Sequence, residues 1–173
     1  MTPQPVEIRL TTIPGTSFVA LTDDKHLPPR AIAAGDIRLE KGINELPEIK
    51  ALRVGSVAVD VGAFIGETAL VMAQNGATVL AFEPQTDAYV AAVVNCRNNQ
   101  NIHLFNCPIG NGDEVVLSPE TMHCQGNLGT RRVTRRVDAS GSGSEMVAYK
   151  LDNFFVSRHC TLIKIDVAGY ELP

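Results

Sequence analysis

The chain has 173 residues, of which 45% are hydrophobic and 20% charged, a composition typical of one globular domain. Lys plus Arg total 15 against 19 Asp plus Glu, and the formal charge of −4 disfavours nucleic acid or an anionic membrane as a general partner. There is no apolar run of the roughly 20 residues that cross a membrane and no secretory signal, so we expect a cytoplasmic protein. The four scattered cysteines predict reduced thiols and neither a disulfide framework nor a metal site.

The N-terminal part, residues 1–55, is rich in proline, which breaks the chain into short elements. We predict short strands over 6–10 and 17–21 and a short irregular or helical element over 31–42. This subregion precedes a core at 56–173, and both belong to one domain overall.

The core opens with a strand, a glycine turn and a helix. Val57–Val61 is a continuous apolar run apart from Asp60, as expected for a strand buried on both faces. Gly62 follows at once, and 66–74 has helical periodicity that Asn75–Gly76 stops.

The same pattern repeats along the next segment. Thr78–Glu83 is a second apolar run that ends on an acid, and Pro84 favours an extended Glu83. A helix from about 88 to 97, capped by Thr86 or Asp87, leads to a third strand over 102–107. This alternation predicts parallel strands joined by right-handed crossovers.

The last part contains predicted hairpin strands, beginning at 114–117, and a further core strand. The serine-glycine run 140–144 predicts a flexible loop. Residues 160–166 form another buried-strand pattern that closes on Asp166. The fold class that we predict is α/β, with a Rossmann-like, doubly wound, mostly parallel sheet.

Three acids, Asp60, Glu83 and Asp166, close predicted strands at the sheet edge where such folds bind ligands. Glu83 follows Gly62 by about 20 positions, the offset at which a second-strand acid reaches ribose hydroxyls. The glycine spacing is not G-x-G-x-x-G, which disfavours a nicotinamide dinucleotide. Asp60 beside the turn suits a cationic ligand better than a pyrophosphate. S-adenosylmethionine offers both an adenosine and a cationic end.

These motifs, taken together and in order, resemble the FkbM-type class I methyltransferases from about Val57 to the end of the chain. The matching segments are Asp60–Gly66, Phe82–Pro84 followed by Asn95, Val147–Phe154 and Leu162–Glu171. The resemblance implies methyl transfer from S-adenosylmethionine, usually to an oxygen of a natural product or sugar, so the partner would be a small-molecule acceptor.

The resemblance also implies roles for individual residues. Asp166 would lie at the edge of the methyl-donor site, and it is our candidate for orienting the acceptor or taking its proton. Lys164 shares the strand face of Asp166, which predicts either that it lowers the pKa of that carboxyl or that it forms a structural ion pair. Two positions depart from the family pattern: Phe64 replaces the usual Asn, and Ala168 replaces an acid, which removes a carboxylate from the active site. The residues that would bind the cofactor are Asp60, Gly62, Ala63, Phe64, Gly66, Glu83, Pro84, Asn106 and Pro108.

The arginine cluster at 131–136 has two interpretations. Arg131 and Arg132 are candidates for binding an anionic substrate, and the alternative is a solvated hairpin. RNA is disfavoured there because no aromatic residues are interleaved.

Two other functions compete with methyl transfer. A catalytically silent module that binds S-adenosylmethionine or adenosine is consistent with Ala168, whereas a dinucleotide oxidoreductase is least favoured. A complete class I methyltransferase sheet has seven strands, and this chain stops just after the fourth. We therefore expect a truncated sequence, or an open edge covered by the N-terminal segment or by a second copy in a homo-oligomer.

Overall fold

The computed structural model describes most of the core and parts of the N-terminal region. The described residues are 10–12, 18–21, 24, 43–112, 114–119, 131, 133–135, 143–155 and 159–168. The element predicted over 31–42 and the candidate residue Arg132 lie outside them.

The elements alternate between strand and helix through the centre of the chain. Single turns of 3-10 helix lie at Ile43–Glu45 and Leu151–Phe154. In chain order the described elements are β1 Leu10–Thr12, β2 Val19–Leu21, α1 Pro47–Lys50, β3 Val57–Val61, α2 Glu67–Gln74, β4 Thr78–Phe82, α3 Thr86–Cys96, β5 Ile102–Phe105, β6 Val115–Pro119, β7 Thr134–Arg135, β8 Gly143–Val147 and β9 Leu162–Ile165.

The central sheet has the strand order β5-β4-β3-β9, and all neighbours run parallel. The chain first moves outward from β3 to β5 and then returns to place β9 on the other side of β3. The strand order therefore reverses between β3 and β9, which is where folds of this class bind their ligands. The predicted Rossmann-like α/β fold is confirmed.

Both faces of the sheet carry apolar side chains because its strands are short runs of β-branched and small residues. On one face Ala58 and Val79 form a core with Met72 of α2. On the other, Phe82 stacks on Phe105 with ring centroids 5.0 Å apart, and Phe154 of the last 3-10 turn lies 4.8 Å from Phe82. The α2 helix and the aromatic cluster thus cover opposite faces of the sheet.

Helix α3 packs beside α2 and also carries the N-terminal hairpin. Strands β1 and β2 pair antiparallel, and Ala20 of β2 packs with Ala91 of α3. Asn95 accepts a hydrogen bond from the Val19 amide (2.8 Å) and donates to the Val19 carbonyl (3.0 Å) and the Ile65 carbonyl (2.9 Å). The second predicted strand, 17–21, is matched by β2 at Val19–Leu21, which packs on the core. The first, 6–10, lies outside the described residues except for Leu10, where β1 begins.

Several predicted bounds are wrong for identifiable reasons. Helix α3 starts at Thr86, two residues earlier than predicted, with Gln85 as its N-cap. Asp87 lies inside its first turn, where the carboxylate accepts from the Ala88 amide and pairs with Arg131. Strand β5 ends at Phe105, since the next side chain, Asn106, turns back to the β4 end. Gly143 and Ser144, predicted as part of a flexible loop, begin strand β8, which pairs with β6.

Strand β9 is the outer strand of the central sheet within the described part of the chain. It pairs with β3, and Ile163 and Ile165 on it are 46% and 56% exposed. No helix among the described residues is both long and apolar enough to cross a bilayer.

Candidate functional site

The glycine turn after β3 lies where β3 and β9 end side by side. The Asp166 amide donates to the Val61 carbonyl (3.0 Å), and a Cβ on Gly62 would lie 1.9 Å from the Asp166 carbonyl oxygen. Gly62 also has φ +80°, a conformation that favours glycine. The close approach predicted at Gly62 exists, and its partner is the backbone of the β9 end.

The second glycine, Gly66, allows tight helix packing. Its φ is +87°, and a Cβ there would lie 2.7 Å from Cys96 Sγ of α3. Between the glycines, the amides of Gly62 and Ala63 both donate to the Phe82 carbonyl at 2.9 and 3.0 Å. The turn is therefore held on one side by β4 and packed on the other by α3.

Asp60 is fully buried and forms an ion pair across the sheet. It is the register partner of Lys164 on β9, whose Nζ lies 2.9 Å from Asp60 Oδ1 and donates to the Gly62 carbonyl at 2.8 Å. Burial raises the pKa of Asp60, and the Lys164 ammonium opposes that rise. The cation next to Asp60 is thus one of the protein's own side chains. Of the two roles predicted for Lys164, the geometry matches a structural ion pair, formed with Asp60.

Glu83 follows β4 directly and is 4% exposed, yet both of its carboxylate oxygens are held by backbone amides. Gln85 N–H donates to Oε1 and Phe64 N–H to Oε2, each at 2.8 Å. Burial raises the pKa of Glu83 to about 7, and the two amides oppose the rise. Because each carboxylate oxygen accepts about two hydrogens, one acceptor position per oxygen remains.

The loop after β4 is fixed by Asn106. Its Nδ2 donates to the carbonyls of Glu83 (2.8 Å) and Pro84 (3.2 Å), and its Oδ1 accepts from the Thr86 hydroxyl (3.2 Å). Pro108 lies further on, where its carbonyl accepts from the Tyr149 amide (3.0 Å). Asn106 therefore belongs to the same site as Glu83.

Arg131 is buried, so the interpretation of its cluster as a solvated hairpin does not hold for this residue. Thr134 and Arg135 of the same cluster form β7, which pairs antiparallel with β6. Arg131 is 4% exposed, and its two terminal nitrogens lie 2.8 and 2.7 Å from the two carboxylate oxygens of Asp87. Gln85 Nε2 donates to the Arg131 carbonyl at 3.2 Å. The guanidinium is engaged by Asp87, and substrate binding by Arg131 stays a prediction.

The two departures from the expected motif share a backbone feature. Phe64 and Ala168 have φ of 49° and 50°, and they are the non-glycine residues with positive φ in the described ranges. Asn adopts this left-handed region more readily than Phe, so the usual Asn would be less strained at position 64. Asp166, two residues before Ala168, is exposed at the end of β9.

The structure brings most predicted residues to one edge of the sheet, around the ends of β3, β4 and β9. It also adds Gln85, which the sequence analysis did not name. Asp87, predicted only as a helix cap, and Asn95, named only as part of the second motif, gain contacts around the site as well. The sequence signal for Asn95 is a polar side chain within the apolar periodicity of α3. The signal for Gln85 is its position two residues after Glu83, the acid that ends the strand. No group of three or more His, Cys, Asp or Glu side chains capable of holding a metal occurs in the described residues.

Comparisons with known proteins identify the family. Residues 60–173 match the model of the Methyltransferase FkbM domain. No curated protein matches the chain. Among solved structures, a crystal structure of PRMT6 is similar, with 20% identity and a TM-score of 0.36 over 45% of this chain. The match spans 23% of the PRMT6 chain.

Proposed function

The chain belongs to the FkbM methyltransferase domain family, and from this premise we propose that it moves the methyl group of S-adenosylmethionine to a hydroxyl oxygen of a small molecule or sugar. The observation that carries the proposal is the Glu83 carboxylate beside the β3–β9 switch point, held by two amides with acceptor positions to spare. The structure agrees with a methyltransferase core.

The residues around Glu83 fit the adenosine end of the donor. Two ribose hydroxyls are hydrogen-bond donors, and the Glu83 oxygens each retain one acceptor position. The Gly62–Gly66 turn and Asn106 fix both sides of this carboxylate. Donor binding at Glu83 is thus supported by matching hydrogen-bond types.

Charge favours a cationic donor over a dinucleotide. The buried Asp60 and the partly buried Asp87 are paired with Lys164 and Arg131, whereas Glu83 is held by neutral amides. An ionised Glu83 therefore adds negative charge that attracts a sulfonium or ammonium and repels a pyrophosphate.

When bound, S-adenosylmethionine supplies an electrophilic methyl group. We assign Asp166, exposed at the end of β9, to orient the acceptor hydroxyl and take its proton as the carbon–oxygen bond forms and the carbon–sulfur bond breaks. Alignment of the reactants can supply roughly 7–11 kcal/mol, and a positioned base about 10²–10⁴-fold more. Lys164 is engaged by Asp60 and Gly62, so a catalytic role for it stays a prediction.

A second candidate is a module that binds the donor without transferring methyl. Ala168 favours it, because the resemblance places an acid at this position and the strained alanine offers no carboxylate. The same binding site would serve both functions, and turnover separates them.

Calorimetric titration with S-adenosylmethionine, S-adenosylhomocysteine and NAD tests the proposal. We expect binding of the first two and none of NAD. Glu83→Ala should abolish binding, while the control Glu48→Ala, on an exposed residue of α1, should leave it unchanged. Absence of heat with both sulfur ligands would overturn the proposal, and binding without turnover over an acceptor panel would favour the silent module.

A further inference from the structure

A chain of contacts links the β6–β7 connection to the end of β4. Arg131 lies on that connection and is held by Asp87, the second residue of α3. The Arg131 carbonyl accepts from the Gln85 side chain, and the Gln85 amide donates to Glu83. Glu83 is thus joined through Gln85 to a residue about 50 positions away by two hydrogen bonds that are both buried.

Arg131 differs from a surface arginine in both burial and geometry. Its side chain is 2% exposed, and its fork binds both oxygens of Asp87, an arrangement that fixes the two side chains relative to each other. Gln85 and Asp87 lie on either side of Thr86, the first residue of α3. The Arg131–Asp87 pair therefore fixes the position of the turn that carries Glu83. A residue used only for solubility would need neither contact.

We propose that Arg131 is a positioning residue for donor binding: it holds Gln85 and the start of α3 so that Glu83 faces the ribose. The positive charge of Arg131 also favours the ionised form of Glu83. The inference rests on the proposed function, since it concerns the same donor site. It gives Arg131 a role through Glu83 in place of direct contact with substrate.

The charges around Glu83 explain how Arg131 favours the ionisation of Glu83. Asp60 on β3 repels the Glu83 carboxylate and Arg131 attracts it, while the amides of Phe64 and Gln85 stabilise it. Asp87, on α3, is neutralised by Arg131. Removal of the guanidinium would therefore delete one attraction and leave the Asp87 charge unbalanced, and both changes disfavour the ionised Glu83.

The test is the affinity for S-adenosylhomocysteine between pH 5.5 and 8.5, measured by calorimetry. In the native chain we expect affinity to rise with pH as Glu83 ionises. Arg131→Met should move the midpoint of that rise to higher pH. A rise of one unit from a pKa of about 7 would weaken binding at pH 7 by about fivefold, because the ionised fraction of Glu83 falls by that factor. The matched control is Arg97→Met, at the exposed C-terminal end of α3. It should change neither the midpoint nor the affinity at pH 7.

A third variant separates charge from geometry and covers the case in which Arg131→Met does not fold. Arg131→Lys keeps the charge and loses the two-pronged contact, so we expect weaker binding at every pH with an unchanged midpoint. Native affinity and midpoint in Arg131→Lys, or in a folded Arg131→Met, would overturn the inference. If the native chain binds no S-adenosylhomocysteine at any pH, the proposed function itself fails.

Discussion

The ends of β3 and β4 begin from the same sequence pattern, an apolar run with an acid at its end, and reach different chemical states. Asp60 is neutralised by the Lys164 ammonium, which also binds the Gly62 carbonyl. Glu83 is held by two backbone amides and keeps acceptor positions for a ligand. Burial raises the pKa of both acids, so burial alone does not distinguish them. The partner determines whether a buried acid is neutralised within the chain or keeps open acceptor positions.

The largest expected effect comes from removing the Lys164 cation that neutralises Asp60. Lys164→Met would leave a fully buried carboxylate without its cation, and we expect a loss of about 3–5 kcal/mol in the free energy of unfolding, measured with urea. Asp60→Asn should lose less, because Lys164 is 23% exposed and can reach water. The double variant should recover part of the loss, and additive losses would contradict a coupled pair.

The next effect concerns the junction between β3 and β9. Gly62→Ala would place a Cβ against the Asp166 carbonyl in a left-handed backbone, and we expect about 3–4 kcal/mol of destabilisation in urea. Gly55→Ala is the matched control, since it shares the positive φ but has open space around it. It should lose only about 1–2 kcal/mol. Equal losses would mean that backbone strain, not close approach, explains Gly62.

The pH dependence of the free energy of unfolding tests the buried state of Glu83. The pKa of Glu83 is raised from 4.5 to about 7 on folding. The stabilising contribution of this group to the free energy of unfolding is therefore fully present below pH 4.5 and is lost as pH rises through 7. We expect up to about 3 kcal/mol of lost stability across that window in urea titrations. Glu83→Gln should flatten this part of the profile. A native profile that rises between pH 5 and 7 would contradict the assignment.

The smallest expected effect is at the end of β9. Ala168→Gly should raise the free energy of unfolding by about 1 kcal/mol in urea, because glycine adopts the positive φ without strain. Ala51→Gly, at an ordinary right-handed cap of α1, should instead destabilise the protein by a similar amount. A loss of stability in both variants would show that Ala168 is not strained.

Much of the fold was accessible from the sequence because local patterns dictated it. Apolar runs ending in acids located β3, β4 and β9, and Gly62 marked the turn that a side chain could not occupy. Helix α1 was missed, since a helix of four residues that begins at Pro47 carries little periodicity.

The candidate site was only partly predictable because its partners are distant in the chain. Asp60 was assigned to face a ligand cation, and only the β3–β9 register brings Lys164 to it. Likewise, no local pattern indicates that Arg131 binds Asp87, 44 positions away. The positions of the acids follow from local sequence, whereas their ionic partners follow from tertiary structure.

The pairing of β9 with β3 also bears on how the chain folds. The Thr161 hydroxyl accepts from the Val57 amide across a separation of 104 residues, whereas the strands from β3 to β5 are joined by short helical crossovers. Closing so long a loop carries a large entropic penalty, so we expect the β3–β5 unit to form first and β9 to dock late. Glu83 would then be in place before Lys164 reaches Asp60, and docking of β9 would form the Asp60–Lys164 pair late.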